Sequence, residues 1–407
     1  MFKFIKENIE PNRKLRIAEI AIIILLFTAT VFSFALGLNK INSFSGNTTY
    51  VGTIELQRQF DEEDYDEDST ICDVIYQKDD KSLIVSYPYE EYIKLENVSI
   101  TAYEYLTDNG ISLCFEHDNP SSEEIASVYR QVMADRTAAL FNISIVSFIL
   151  GISLLIVLLC SKYFTTYEKC WFLSIMILSA IFAILFPEES ANGVNGIVIM
   201  FLYLLDIILN ILCELLISKQ SRYNFLVSVG VEITEIIICI VLMYRFATMV
   251  VTLFFWLPID ILSFINWTKH IDDDQKELTE VRRLKGYQEV LVIVGIAVWT
   301  LVVGYFISGL NIQTDFFNNH SLETLVVYID ACASAVGIAN GLFIFFRLRE
   351  QWIAWYVCAA LESIINILSG QYVLLILKLG YFTNTTYGYI KWSRYIKQHS
   401  TTKESVF

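Results

Sequence analysis

Phe264-Ile265-Asn266-Trp267 and Tyr389-Ile390-Lys391-Trp392 close two stretches, 224–267 and 349–392, that read as copies of one unit. Each stretch is an apolar helix, a short polar break and a second apolar helix ending on tryptophan. Chance likeness between apolar helices is the bland alternative. Internal duplication of helix groups is how many secondary transporters are built, with the solute held between repeats near the bilayer midplane. The pair therefore points first to solute transport.

Composition agrees with a membrane protein. The chain has 407 residues, 55% hydrophobic and only 18% charged, with a mean hydropathy of +0.50. A soluble core does not need many apolar runs of about 18 residues, the length that crosses the hydrocarbon. About ten such runs are present: 18–38, 138–160, 170–185, 194–217, 225–243, 249–267, 290–310, 322–346, 352–368 and 372–390. The first exceeds a typical signal-peptide core and has no convincing cleavage site, so a retained anchor is expected.

Loop charges set the orientation. Lys3, Lys6, Arg13, Lys14 and Arg16 precede the first run, and alternate loops afterwards carry the other basic clusters. Both termini are therefore expected in the cytoplasm, with Arg245 the one minor exception to the bias. The residues between the first two runs, 39–137, then lie outside. They hold 21 acidic against 7 basic side chains, a net of −14 out of −15 for the whole chain. So acidic a face argues against nucleic acid as a partner.

This insert reads as a small α+β domain. Alternation over 71–76, 83–87 and 111–115 predicts short strands. Ser121-Ser122-Glu123-Glu124 has the spacing of a helix start, and Ile125, Val128 and Val132 continue it as an apolar stripe toward the second span. The acidic run 61–68 lacks the glycine and ligand spacing of an EF-hand, which favours a solvated loop over a calcium site. Cys72 and Cys114 are the insert's two cysteines. They either pair on the oxidising side or stand reduced in their strands.

No catalytic constellation, cofactor motif or metal-ligand spacing stands out, and His117, His270, His320 and His399 are scattered. An enzyme is not expected. Polar residues inside the apolar runs are more informative, because a charge near the bilayer centre costs about 3 kcal/mol and usually faces a cavity or a partner. Asp206, Asn210 and Glu214 share one helical face. Thr252, Trp256, Asp260, Ser263 and Trp267 form a second line, and Trp352, Trp355, Ala359, Glu362 and Asn366 a third. The last two lie in opposite copies of the repeat. Two faces that pair tryptophan with carboxylate can hold a flat cation. Glu232 and Glu235 fall early in their span and read as interfacial, and Trp267 and Trp392 as interfacial anchors. Lys378 is available to neutralise one of the acids. Pro258 is expected to kink its helix, and Gly337 with Gly341 to let helices pack closely.

At these residues the chain resembles the Pnu family of vitamin transporters, over about 193–397. Arg349-Glu350-Gln351-Trp352-Ile353-Ala354-Trp355 is similar to that family's charged turn followed by two tryptophans. Asp330-Ala331 stands at the family's usual separation before Trp352. Pro258 with Trp267, and Val281-Arg282-Arg283-Leu284, match two further family features. The resemblance implies a seven-span 3+1+3 core related to the SWEET transporters and preceded here by additional spans. It also implies a homotrimer in a bacterial cell membrane, and facilitated diffusion of a vitamin such as nicotinamide riboside, drawn by trapping inside the cell. Amides of the family pattern are replaced here by Ala359, Thr252, Asp260 and Gly341, although Asn340 adjoins the last. The fold survives these departures better than the choice of solute.

The organisation expected is a tail and first span (1–38), the acidic outer domain (39–137), two accessory spans (138–192), the transport core (193–397) and a cytoplasmic tail (398–407). The solute-binding residues expected are Thr252, Trp256, Asp260, Asp330, Asn340, Trp352, Trp355, Glu362 and Asn366. The function expected is carriage of a small vitamin or nucleoside, nicotinamide riboside-like or thiamine-like, through the lipid bilayer by alternating access. The alternative is a receptor or scaffold that reuses this fold and binds its partner through the acidic domain.

Overall fold

The computed structural model describes residues 13–44, 46–58, 71–78, 81–88, 99–188, 190, 194–242, 245–270, 281–309 and 320–399. The acidic run 61–68 and the side chain of Cys72 lie outside them, and with Cys72 its pairing to Cys114. Within the described residues ten long helices occur: α1 (Arg13–Ile41), α2 (Ser122–Leu159), α3 (Thr166–Leu185), α4 (Gly196–Ser218), α5 (Asn224–Leu242), α6 (Phe246–Lys269), α7 (Gly286–Ser308), α8 (His320–Phe345), α9 (Gln351–Leu368) and α10 (Tyr372–His399). All but α10 are long and apolar enough to cross a bilayer. α10 carries Lys378, Asn384 and Thr385, but all three are buried within the protein. These three face inward, while Thr383, Thr386, Arg394 and Lys397 of the same helix are exposed.

Two compact units form, one from Thr30–Ser144 and one from Met1–Ala29 with Ile145–Phe407. In the first, β1 (Thr48–Arg58), β2 (Ile71–Lys78), β3 (Lys81–Pro88), β4 (Ser99–Thr107) and β5 (Ser112–Phe115) make an antiparallel sheet of order β3-β2-β1-β4-β5. Its two edge strands approach each other, so the sheet curls. β1 and β4 escape simple alternation for identifiable reasons. β1 carries a bulge between Tyr50 and Gly52. β4 is covered on both faces: Ala102 joins Leu56, Val74 and Tyr76 in one core, while Tyr105 joins Leu113, Phe115, Ile125 and Tyr129 in another. Ser121 and Glu124 cap α2 reciprocally at 3.2 and 2.7 Å, and α2 runs unbroken from this unit to Leu159.

In the larger unit, α3 begins four residues before its apolar run because Thr165 and Glu168 form a capping box. Glu168 is fully buried and also meets Lys219 at 3.0 Å and the Tyr387 hydroxyl at 3.1 Å. The α4–α5 and α8–α9 junctions are built alike. Gln220 (φ 56°) and Arg347 (φ 61°) take the left-handed conformation. The next residues, Ser221 and Leu348, then donate back to the carbonyls of Leu216 and Phe343. Gly370, with Gln371 donating to Asn366, repeats this pattern before α10.

Pro258 leaves its mark one turn upstream. Thr252–Trp256 forms a π turn, in which the Leu257 N–H reaches the Thr252 carbonyl. Proline removes one donor and crowds the carbonyl four residues back, and a widened turn relieves that conflict.

Trp267 and Trp392 are fully buried, which corrects the expectation of interfacial anchors. Their rings meet at 6.0 Å, and Trp352 stands edge-on to Trp392 at 5.6 Å. Trp267 also donates from Nε1 to the Ile344 carbonyl at 2.8 Å. Gly388 makes this cluster possible, since a Cβ there would come within 2.4 Å of the Trp352 ring.

Two predictions follow from this packing. Gly388→Ala should lower the stability of the detergent-solubilised chain by about 1–3 kcal/mol, read as a drop in thermal midpoint; an unchanged midpoint would refute the account of the tryptophan cluster. In the sheet, hydrogen bonds from Lys81 (2.6 Å) and then Ser112 (2.6 Å) hold the Glu104 pKa below its ordinary value of 4.5. The ionised carboxylate therefore stabilises the sheet above its unfolded-state pKa, and that contribution is lost as pH falls through the lower folded value. Glu104→Gln should speed hydrogen exchange in β3 and β4 at about pH 7 relative to wild type, with the difference shrinking as pH falls through the lowered Glu104 pKa.

Candidate functional site

Polar residues on α4, α5, α6, α8, α9 and α10 converge on a cavity of about 110 Å³ in the larger unit. The four-residue spacing of Asp206, Asn210 and Glu214 turns all three from α4 toward it. Thr252, Trp256 and Asp260 do the same from α6, while Ser263 and Trp267, further along their line, do not line it. Trp355, Glu362 and Asn366 enter from α9, Asn340 from α8, and Lys378 and Tyr381 from α10.

Seven of the nine residues expected to bind solute are thus brought together: Thr252, Trp256, Asp260, Asn340, Trp355, Glu362 and Asn366. Trp352 and Asp330 are placed elsewhere. Trp352 shares the expected helical line but points into the tryptophan cluster. Asp330 is buried against the start of α6, where it accepts from the Ala247 and Thr248 backbone N–H groups at 3.0 and 3.3 Å. It satisfies donors that a helix start leaves open and faces the Arg245 Nε at 3.7 Å. It positions α6.

The charges form an ordered network. Glu362 accepts from Arg245 at 2.9 Å and from Lys378, and Arg245 also lies 3.8 Å from Glu235. Thr234 donates to Asp206 at 2.9 Å, and Asn384 to Glu214 at 2.8 Å. Tyr381 donates to Asn210 and packs against Trp355, with ring centroids 5.1 Å apart and planes tilted by 52°. By contrast, both polar atoms of the Asn340 and Asn366 amides, and Nε1 of Trp355, are buried without a hydrogen-bond partner among the described residues. Buried polar atoms are ordinarily paired, so these are groups free to meet a solute's polar edge.

Sequence reasoning left out several members of this site. Glu232 and Glu235 line the cavity and Glu232 is only 5% exposed, which corrects their reading as interfacial. Arg245 is the larger omission. Its departure from the expected loop-charge bias was the available signal, and in the structure Glu235, Asp330 and Glu362 hold it.

The helices define a multi-pass membrane protein with a polar cavity inside its bundle. Residues 200–394 match the family profile described as nicotinamide mononucleotide transporter. The chain is 23% identical over 243 residues to the nicotinamide riboside transporter PnuC of Neisseria mucosa, covering 58% of this chain and 84% of that protein. A crystal structure of the vitamin B3 transporter PnuC is 22% identical, with a TM-score of 0.45, covering 58% of this chain and 94% of that one. Over the matched residues the chain is similar to PnuC-like transporters of the Pnu family, and the relatives it matches are transporters and not enzymes.

The charge network predicts a non-additive pair. Removing one partner of a buried ion pair costs about 3–5 kcal/mol, because the other charge is stranded. Glu362→Gln, which leaves Lys378 without its carboxylate, should therefore destabilise the solubilised protein more than the Lys378→Met/Glu362→Gln double variant does. Equal or greater loss in the double variant would show that the pair is not compensating charge.

Proposed function

We propose that this protein carries a small cationic vitamin or nucleoside across the membrane, of the nicotinamide riboside or thiamine type. The observation that supports this most is the cavity's lining. Six carboxylates face it, from Asp206, Glu214, Glu232, Glu235, Asp260 and Glu362, against the two cations Arg245 and Lys378. Trp256 and Trp355 add two aromatic rings. A flat cation gains from both charge and ring faces, and the unpartnered amides of Asn340 and Asn366 suit a planar group with a polar edge.

In this reading α4–α6 and α8–α10 are the two halves of a 3+1+3 core linked by α7, and the stretches 224–267 and 349–392, each a helix pair closing on tryptophan, favour a common origin. The cavity opens by turns to each side as the halves rock, and the simplest traffic is facilitated diffusion. Residues 193–397 then form the transport core, 138–192 two accessory spans, and 39–137 an acidic domain outside the cell. Both termini lie in the cytoplasm of a bacterial host, and the assembly is a trimer.

Uptake of radiolabelled nicotinamide riboside and thiamine into proteoliposomes tests the proposal; equilibration of neither would sink it. Trp355→Ala removes a ring contact worth about 1–2 kcal/mol in a desolvated site, so the solute's half-saturation concentration should rise roughly tenfold. Normal uptake by that variant would remove Trp355 from the site.

A further inference from the structure

Glu168 stands outside the cavity, at the start of α3, and its two carboxylate oxygens have different partners. Oε2 accepts from the Thr165 backbone N–H at 2.8 Å, as part of the capping box, and meets Lys219 Nζ at 3.0 Å. Oε1 accepts from the Tyr387 hydroxyl at 3.1 Å and faces Lys391 Nζ at 3.7 Å. Lys219 closes the end of α4, whereas Tyr387 and Lys391 belong to α10. One fully buried carboxylate thus holds a helix of each proposed half, with one oxygen for each.

α3 keeps to the same boundary beyond Glu168. Trp171 donates from Nε1 to the Thr383 hydroxyl of α10 at 2.7 Å. At Gly380 of α10 three helices meet: a Cβ there would lie 3.3 Å from Ile211 of α4 and 3.7 Å from both Ile175 and Trp171 of α3. The two sides of the Glu168 tie are unequal. The Lys219 side chain is 14% exposed and makes the shorter contact, while that of Lys391 is 37% exposed and makes the longer one. Exposed ion pairs are the weaker ones. Lys219 alone neutralises Glu168, and the capping box closes without α10. When the halves part, α3 therefore stays with α4, and Oε1 releases α10.

We propose that α3 is a clasp across the two halves. With Oε1 on Tyr387 and Lys391, the α4–α10 seam is held shut at the end of the bundle that carries Lys219, and the solute leaves by that end only once α10 is released. Glu168 touches no solute; it is a positioning residue that sets how readily the carrier opens to one side. The clasp rests on the carrier reading and on its orientation, in which this end faces the cytoplasm.

Cys213 can report the opening. It is buried, lines the cavity, and its thiol lies 3.6 Å from the Asn224 carbonyl at the start of α5, toward the Lys219 end. The test applies a membrane-impermeant maleimide to inside-out and right-side-out membrane vesicles carrying the full chain, and follows modification of Cys213 by peptide mass spectrometry. Tyr387→Phe/Lys391→Met frees only Oε1 and leaves the capping box and the Lys219 pair in place. It should speed modification about tenfold in inside-out vesicles, within the roughly 5–150-fold range of remote couplings, and leave right-side-out vesicles unchanged. Glu168→Gln should act in the same direction. Unchanged modification in the double variant overturns the clasp, because the α10 contacts then only pack α3. A rise from both sides alike, or from the outside alone, overturns it too. Where Glu168→Gln does not fold, the double variant decides the matter, since it leaves Glu168 paired with Lys219. Equilibration of nicotinamide riboside by wild-type proteoliposomes keeps the carrier reading even if the clasp falls, whereas equilibration of neither that solute nor thiamine removes both.

Discussion

The fold of the larger unit turns on how Glu362 is neutralised. A carboxylate buried among membrane helices is costly unless opposite charge and hydrogen bonds reach it. Here Arg245 arrives from the start of α6 and Lys378 from α10, both within bonding distance of Glu362 on α9. Arg245 also faces Glu235 of α5 and Asp330 of α8. One set of charges thus ties five helices around the cavity, and each partner would be destabilising without the others. The arrangement fixes geometry more than it adds net stability, which is what a binding cavity requires.

How much of this was legible in the sequence depended on the property being read. Helix-length apolar runs and four-residue spacing reflect the chain's own period, so nearly all spans and the lines on α4, α6 and α9 could be drawn without coordinates. Periodicity names a helical face, but it does not say how deep each residue on that face sits. Trp352 and Trp355 lie one turn apart, yet one packs against Trp392 while the other lines the cavity. Asp330, expected among the solute-binding residues, does not line the cavity but accepts from the start of α6. What it does, capping a helix some 80 residues away in sequence, is long-range information.

The charged residues misread were those judged by position alone. Glu232 and Glu235 are early in α5, but both line the cavity and Glu232 is buried within the protein. Lys378 makes α10 look too polar to span, although the residue serves a carboxylate inside the bundle. In a polytopic protein, a charge inside or beside a span is better asked for its partner than discounted for its distance from a helix end.

Pro258 shows how one residue's local chemistry propagates to the site. Its missing donor is accommodated by the π turn over Thr252–Trp256, and the extra residue in that turn shifts the register of the side chains before it. Thr252 and Trp256 both face the cavity, with Phe255 lying against α8. α8 accepts them because it carries glycine at 341: a Cβ there would meet the Phe255 ring at 2.5 Å, whereas one at Gly337 would be in ordinary contact with Trp256. Gly341, read with Gly337 as helix packing, is therefore also part of how the aromatic wall is placed. Proline on one helix and glycine on the next act as a single device, and neither would suffice alone.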